Sequence, residues 1–315
     1  MSQEPEQQWI KQYMKESFSE QKKSRRWGIV FKLLTFIYLF VALFMFLNIG
    51  GLKQGASVDK EHTALVKVTG VIAADQDANA NIIVTGLRAA FENEHSKAVM
   101  LHINSPGGSP VQAGYVYDEI KRLRGIYPNK KLYAVISELG ASGGYYIAAA
   151  ADEIYADKAS LVGSIGVTAS SFGFTDTMEK LGVERRHFTA GEHKAFLDPF
   201  SPLKQEEKVF WQEVLNKTHQ QFIKVVEDGR GDRLKATEAD GLYSGLIWNG
   251  EQALELGLID GLGSPGQVAR NVIKAEDIIN YTVQPSPIDA FTKKLGIALG
   301  QGISSQVVSS NIIMQ

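Results

Sequence analysis

Cysteine is missing from all 315 residues. Disulfides, thiolate nucleophiles and cysteine-ligated metals are excluded together, and no metal or cofactor is expected from what remains. Charge imbalance is missing too: 33 Lys and Arg against 35 Asp and Glu leave a net charge of −2, which gives no reason to expect nucleic acid as a partner. The glycine-rich stretch Asn104-Ser105-Pro106-Gly107-Gly108-Ser109 lacks the G-x-x-x-x-G-K-[ST] spacing of a phosphate loop, and its lysine. No convincing internal repeat is found. What is present in quantity is hydrophobic residues, 44% of the chain, enough for one large domain or two modest ones.

The long apolar run sits near the start. Gly28 to Ile49 is broken only by Lys32, Thr35, Tyr38 and Asn48. At about 1.5 Å per residue it spans a hydrocarbon core of about 30 Å, and Lys32 lies close enough to one end to snorkel. A cleaved signal peptide fits less well, because the run is too long and no small-x-small site closes it. Lys22, Lys23, Arg25 and Arg26 precede the run, while only Lys53 and Lys60 follow nearby. Positive-inside logic then leaves residues 1–27 in the cytoplasm, 28–49 as a single anchor in the cell membrane, and the rest extracytoplasmic. Within the first segment Trp9, Ile10, Tyr13, Met14 and Phe18 recur at helical spacing, the pattern of a helix lying on the inner membrane face or of a frayed polar tail. Residues 50–63 have the polar, Gly/Ser composition of a linker.

From residue 64 to 283 the patterns alternate. Strands are predicted at Leu65–Val68, Ala98–Ile103, Leu132–Ile136, Glu153–Ala156 and Leu161–Val167. Between them, Ile82, Ile83, Leu87, Ala90 and Phe91 share one helical face, and Val111–Leu123 reads as a helix capped by Gly125. Gln205–Asp228 is a long amphipathic helix, with Val209, Trp211, Val214, Leu215, Phe222 and Val226 near its apolar stripe. Strand and helix in turn mean an α/β fold with a mostly parallel sheet and right-handed crossovers. Residues 284–315 read as a loosely attached tail.

Function in such sheets gathers at the carboxyl ends of the strands. Two glycine-rich stretches fall there, Asn104–Ser109 and Glu138-Leu139-Gly140-Ala141-Ser142-Gly143-Gly144. Ser142 lies between a strand pattern and an alanine-rich helix pattern, as an ordinary N-cap or as a nucleophile. A nucleophilic serine needs a base. Among the six histidines His62 falls in the linker, His95 ends a helix and His102 lies inside a strand; His193 is the best placed, with no aspartate evident beside it. A Ser-His-Asp triad stays open, since triads are recognised in space. A lysine base must be neutral, which takes its pKa from about 10.4 down to roughly 7–8, at a cost on the order of 4 kcal/mol. Lys194, followed by Ala195-Phe196-Leu197, is a candidate, and Ser164 in its glycine-flanked segment is a hydroxyl that could hold the amine in line.

The residues NSPGG at 104–108, ASGGYY at 141–146, VGSIGV at 162–167 and TAGEHK at 189–194, in that order behind one apolar anchor, resemble the signal peptide peptidase A family of serine proteases, peptidase family S49. The lysine motif departs in one place, opening Ala190-Gly191 where the family usually has Ser-Gly. The resemblance spans about residues 64–265. It implies a ClpP/crotonase-like fold with a Ser/Lys dyad: Ser142 as nucleophile, Lys194 as general base, Ser164 orienting the lysine. Gly143, Gly107 and Gly108 are implied as the oxyanion hole. With one set of motifs the chain is similar to the short form of the family, which implies a homo-oligomeric ring whose subunits complete one another's sites. The implied substrates are remnant signal peptides at the bilayer, cut within their apolar segments. The alternatives are a crotonase-like acyl-CoA hydratase or isomerase working through a carboxylate, and an inactive membrane scaffold of the same fold.

Overall fold

The computed structural model describes residues 4–49, 60–236 and 240–283. The expected linker up to residue 59 and the expected tail, 284–315, lie outside the described residues. The chain forms two compact units, and helix α1 (Glu4–Ile49) belongs to the first. It is one unbroken helix of 46 residues, about 69 Å long, with no break between the expected cytoplasmic and membrane segments. Tyr13–Phe44 is long and apolar enough to cross a membrane. Within that stretch the hydroxyl of Thr35 donates to the carbonyl of Phe31 one turn back at 2.8 Å, so it needs no outside partner.

The second unit, residues 58–284, is built on a sheet of eight strands. These are β1 (His62–Thr69), β2 (Ser96–Ser105), β3 (Leu132–Ala141), β4 (Glu153–Ala156), β5 (Leu161–Gly163), β6 (Ile247–Asn249), β7 (Gly261–Leu262) and β8 (Ile278–Asn280). The main order is β6-β5-β3-β2-β1-β8, with β4 joining β3 to β7. Every pair is parallel except β5 with β6. Helices α2 (Ala80–Glu92) and α3 (Pro110–Ile126) make the first crossovers. Each starts on a side chain that satisfies an orphan N–H: Asn79 accepts from Ile82 N at 3.0 Å, and Ser109 from Gln112 N at 3.4 Å with Pro110 in the first turn.

The continuous apolar run of β2 follows from burial on both faces. Val99, Leu101 and Ile103 join the larger core with Ile83, Leu87 and Phe91 of α2 and Val116, Ile120 and Leu123 of α3. Ala98 and Met100 face the other way, against Val268, Ala269 and Ile273. Each such Leu or Ile, fully buried, contributes about 1.5–3 kcal/mol relative to exposure.

Four local expectations change. Gly125 does not cap α3; it lies inside a helix that runs to Ile126 and stops at Tyr127, because Pro128 cannot continue it. β3 does not end at Ile136 but runs to Ala141, since its second half trades β4 for β5, pairing Leu139, Gly140 and Ala141 with Leu161, Val162 and Gly163. The strand expected over 161–167 stops at Gly163, where Ser164 takes a positive φ. His62, expected in the linker, is fully buried at the start of β1. Its Nδ1 meets the carbonyl of Lys60 at 2.8 Å and its Nε2 the hydroxyl of Tyr281 at 2.9 Å. A carbonyl only accepts, so Nδ1 carries a proton.

Helix α6 (Gln205–Arg230), which follows the short helices α4 (Gly143–Ala148) and α5 (Thr175–Lys180), ends on a buried ion pair. Arg230, 2% exposed, holds both oxygens of Asp260 at 2.8 and 2.9 Å and donates to the carbonyl of Gly257 at 2.9 Å. Burial pushes the Asp260 carboxyl up, but the hydrogen bonds from Arg230 and Ile154 N and the charges of Arg230 and Arg233 outweigh it, leaving a net lowering. The carboxylate therefore stabilises the fold above the ordinary carboxylate range, and that contribution is lost as pH falls through the lowered value. Asp260→Ala strands a buried guanidinium and is expected to cost about 3–5 kcal/mol in denaturant unfolding of the full chain in detergent. A loss below about 1 kcal/mol would mean that Arg230 finds water in its place.

Candidate active site

β3 delivers Ser142 directly to the start of α4 (Gly143–Ala148). The serine stands in the N-cap position, yet its φ is +50 with ψ −122 and its hydroxyl makes no cap hydrogen bond. A side-chain-bearing residue held there carries on the order of 1–3 kcal/mol of strain. Two backbone bonds hold it: its N–H donates to the carbonyl of Gly163 at 2.8 Å, and its carbonyl accepts from Tyr146 N at 2.9 Å. The cap is thus occupied in place but not in chemistry, and the hydroxyl is left for another partner.

The loop after β2 fits against this turn with no room to spare. A Cβ at Gly107 would stand 2.6 Å from Gly143 N and 2.7 Å from Ser142 Cβ, and one at Gly108 would stand 2.2 Å from the carbonyl of Ile72. Both also need positive φ, +95 and +147, so glycine is required twice over. Gly107 turns its N–H inward to Ser105 Oγ at 3.1 Å, and its carbonyl accepts from Ile72 N at 2.8 Å. Its part is to shape the loop. Gly108 and Gly143 are the ones that face the open space.

That space is a cavity of about 580 Å³ lined by Ser142, Gly143, Gly108 and Ser164, among others. Four sequence-predicted site residues therefore meet. Ser164 also has a positive φ, +52, and its N–H donates to the carbonyl of Leu246 at 2.7 Å. The far wall comes from α6, through Thr218, Gln221 and Phe222, and from Ser244 and Gly245. The sequence pattern marked Phe222 as packing surface and missed its neighbours; the period that carries 218, 221 and 222 onto one helix face was the available signal. Tyr146 joins the wall beside Phe222, ring centroids 5.2 Å apart, and burial raises its phenol above its ordinary value. No Asp, Glu, His or Lys is among the described residues lining the cavity.

Lys194 is exposed and outside that lining. Its loop is nonetheless well made. Successive turns place Lys194 N on Gly191 O at 3.1 Å and Phe196 N on His193 O at 3.1 Å, and Phe196 sets its ring edge-on to Phe210 and Trp211. Asp198 closes the loop with Arg185, Ser201 Oγ at 2.8 Å and Phe200 N at 3.3 Å, and the Arg185 hydrogen bond holds its carboxyl well below the usual range. His193 is exposed beside Lys194. From 168 to 206 no residue is buried, and Phe172, Leu181 and Phe188 are 80%, 71% and 91% exposed. The first half of α6 shares this exposure: Val209, expected on the packed stripe, is 50% exposed, and the hydrophobic residues the helix buries begin at Phe222.

Comparison with known proteins covers the same region. The model of peptidase family S49 matches residues 127–278 and that of the Clp protease matches residues 55–159. A protein of Brucella abortus named Na(+)/H(+) antiporter NhaA is 46% identical over 177 residues, 56% of this chain. This chain spans only 24% of that protein's length, so the name says nothing about the shared part. A protein of Enterococcus faecium provisionally named signal peptide peptidase SppA is 30% identical over 240 residues, 74% of this chain and 68% of that one. A provisionally named protease of Methanocaldococcus jannaschii is 30% identical over 234 residues, 72% and 74% of the two chains. With relatives at this identity matched over more than two thirds of their own length, and the Clp protease match lying over the first strands of the sheet, the chain has a ClpP/crotonase-like α/β fold and belongs to peptidase family S49.

Proposed function

We propose that this chain is a membrane-anchored serine endopeptidase that cleaves apolar peptides with a Ser142/Lys194 dyad, the lysine coming from a neighbouring copy in a homo-oligomeric ring. The observation that carries the reading is the strained, uncapped Ser142 hydroxyl in a cavity whose described lining contains backbone donors and hydroxyls but no base. Ser142 Oγ attacks the scissile carbonyl while the neutral amine of Lys194 takes its proton. The N–H groups of Gly143 and Gly108 receive the developing oxyanion, each worth a few kcal/mol in the transition state. The lysine returns the proton to the leaving amine, and water then releases the acyl group from the serine by the same path. Ser164 holds the lysine amine in line. A carboxylate-driven hydratase or isomerase finds no carboxylate in the described lining.

Helix α1 serves as the anchor, with the basic cluster at Lys22–Arg26 leaving its N-terminal part in the cytoplasm and the peptidase unit extracytoplasmic. An anchored site works where apolar remnant signal peptides are concentrated, which raises their effective concentration. The exposed phenylalanines and leucines of 168–206 are the kind of surface a second copy covers. The reading is tested by the pH dependence of cleavage of a synthetic apolar peptide by the full chain in detergent. A lysine base acts only when deprotonated, so kcat/KM is expected to rise through the alkaline side of neutral; a plateau already reached by about pH 6 would rule the lysine out.

A further inference from the structure

The segment that carries Ser164 is an awkward piece of backbone. Gly163 and Ser164 follow one another at φ +113 and +52, and Gly166 N returns to the carbonyl of Ser164 at 2.9 Å, making a tight turn centred on Ile165. Three hydrogen bonds from elsewhere in the chain hold it, beside the strand pairing of Gly163 with Ala141 and Ile247. Ser142 N–H donates to Gly163 O and Ser164 N–H donates to Leu246 O, both backbone to backbone and open to almost any sequence. The third needs a particular side chain: Nε2 of His219, from the middle of α6, reaches the carbonyl of Ile165 at 3.1 Å. Ile165 is fully buried, so without that ring its carbonyl loses the hydrogen bond that anchors it.

We infer that His219 is a positioning residue for the reaction, fixing the turn at Ile165 so that the adjacent Ser164 hydroxyl points at the incoming base. A carbonyl only accepts, so His219 Nε2 carries its proton whether the ring is neutral or charged. The same bond removes that nitrogen as an acceptor for the Ser142 proton. His219 therefore acts through Ser164. The neighbours Thr218, Gln221 and Phe222 form the cavity wall, so one helix sets both the wall and the turn opposite it.

The inference rests on the Ser/Lys reading, and the two are separable by experiment. In the full chain in detergent, with a synthetic apolar peptide, His219→Ala is expected to lower kcat about 10–100-fold, with KM within about twofold because the ring does not touch substrate. The rising limb of kcat/KM against pH is expected to move alkaline by about half a pH unit or more, because a misplaced Ser164 no longer supports the neutral amine. His219→Gln places an amide N–H where Nε2 was and is expected to restore at least about half of kcat and the original limb. Should His219→Ala lose the fold by circular dichroism, His219→Asn, one methylene short of the carbonyl, takes its place with the same expected loss. A wild-type kcat and unmoved limb in the folded Ala or Asn variant overturns the inference, as does a Gln variant no better than Ala or Asn. If Lys194→Ala keeps its activity, the dyad falls first; if Lys194→Ala is inactive while the His219 variants behave as wild type, the positioning role alone falls.

Discussion

Ser142→Ala is expected to lower turnover of an apolar peptide by up to on the order of 10⁶-fold while leaving the fold in place, the size of loss seen when a serine nucleophile is removed from a unit that acts together. The structural half of that expectation follows from the hydroxyl's lack of a cap bond: both bonds that hold residue 142 are made by its backbone, to Gly163 and Tyr146, and alanine keeps them. The thermal midpoint is therefore expected to stay within a degree or two, since an exposed-bond-free substitution moves stability by less than about 0.5 kcal/mol. Glycine sharpens the test. At φ +50 and ψ −122 glycine is free of the penalty that serine carries, so Ser142→Gly is expected to be equally inactive and at least as stable as wild type. An ordinary helix cap behaves in the opposite way, with stability falling by about 1 kcal/mol on replacement by alanine and activity following stability. Peptide cleavage and a thermal melt on the same two variants decide between the cap and the nucleophile; near-native cleavage by either variant removes Ser142 from the chemistry.

The sheet was legible because its signal is local. The run from Ala98 to Ile103 has the continuous apolar pattern expected of a strand covered on both faces, and β2 is that strand. Element ends were not legible where a distant partner decides them. Gly140 looks like part of a turn, yet its pairing with Val162 makes it strand, and nothing near residue 140 announces β5. Gly125 has the composition of a cap, but the stop comes from Pro128. The site divides along the same line. Ser142, Gly108, Gly143 and Ser164 were found from glycine spacing and family resemblance, because tight backbone approach demands glycine at fixed offsets. His219 was invisible, since a histidine bonding a carbonyl 54 residues away leaves no local trace. Lys194 was legible as a motif and illegible as a place. Its loop is ordered by Asp198 and Phe196, yet Lys194 lies outside the lining of the cavity that holds Ser142.

That loop leads to the second large effect. Lys194→Ala is expected to be as inactive as Ser142→Ala to within a few tenfold, because nucleophile and base fail as a unit. The two dead proteins are then expected to rescue each other. In a ring whose sites take the serine from one subunit and the lysine from the next, Ser142→Ala still supplies a base and Lys194→Ala still supplies a nucleophile. Random one-to-one mixing leaves about one interface in four with both groups intact, so co-expressed, co-purified chains should recover about a quarter of wild-type activity. A site completed within one chain recovers nothing, however well the subunits mix, because every chain then lacks one member of its own pair. The control is His193→Ala, altered at the exposed histidine next to Lys194, which is expected to keep near-native cleavage. If His193→Ala is dead and Lys194→Ala is active, the base is the histidine. If co-assembled rings of the two inactive variants stay inactive, the exposed arm from 168 to 206 has some other use, and Lys194 must reach Ser142 by a movement of its own chain.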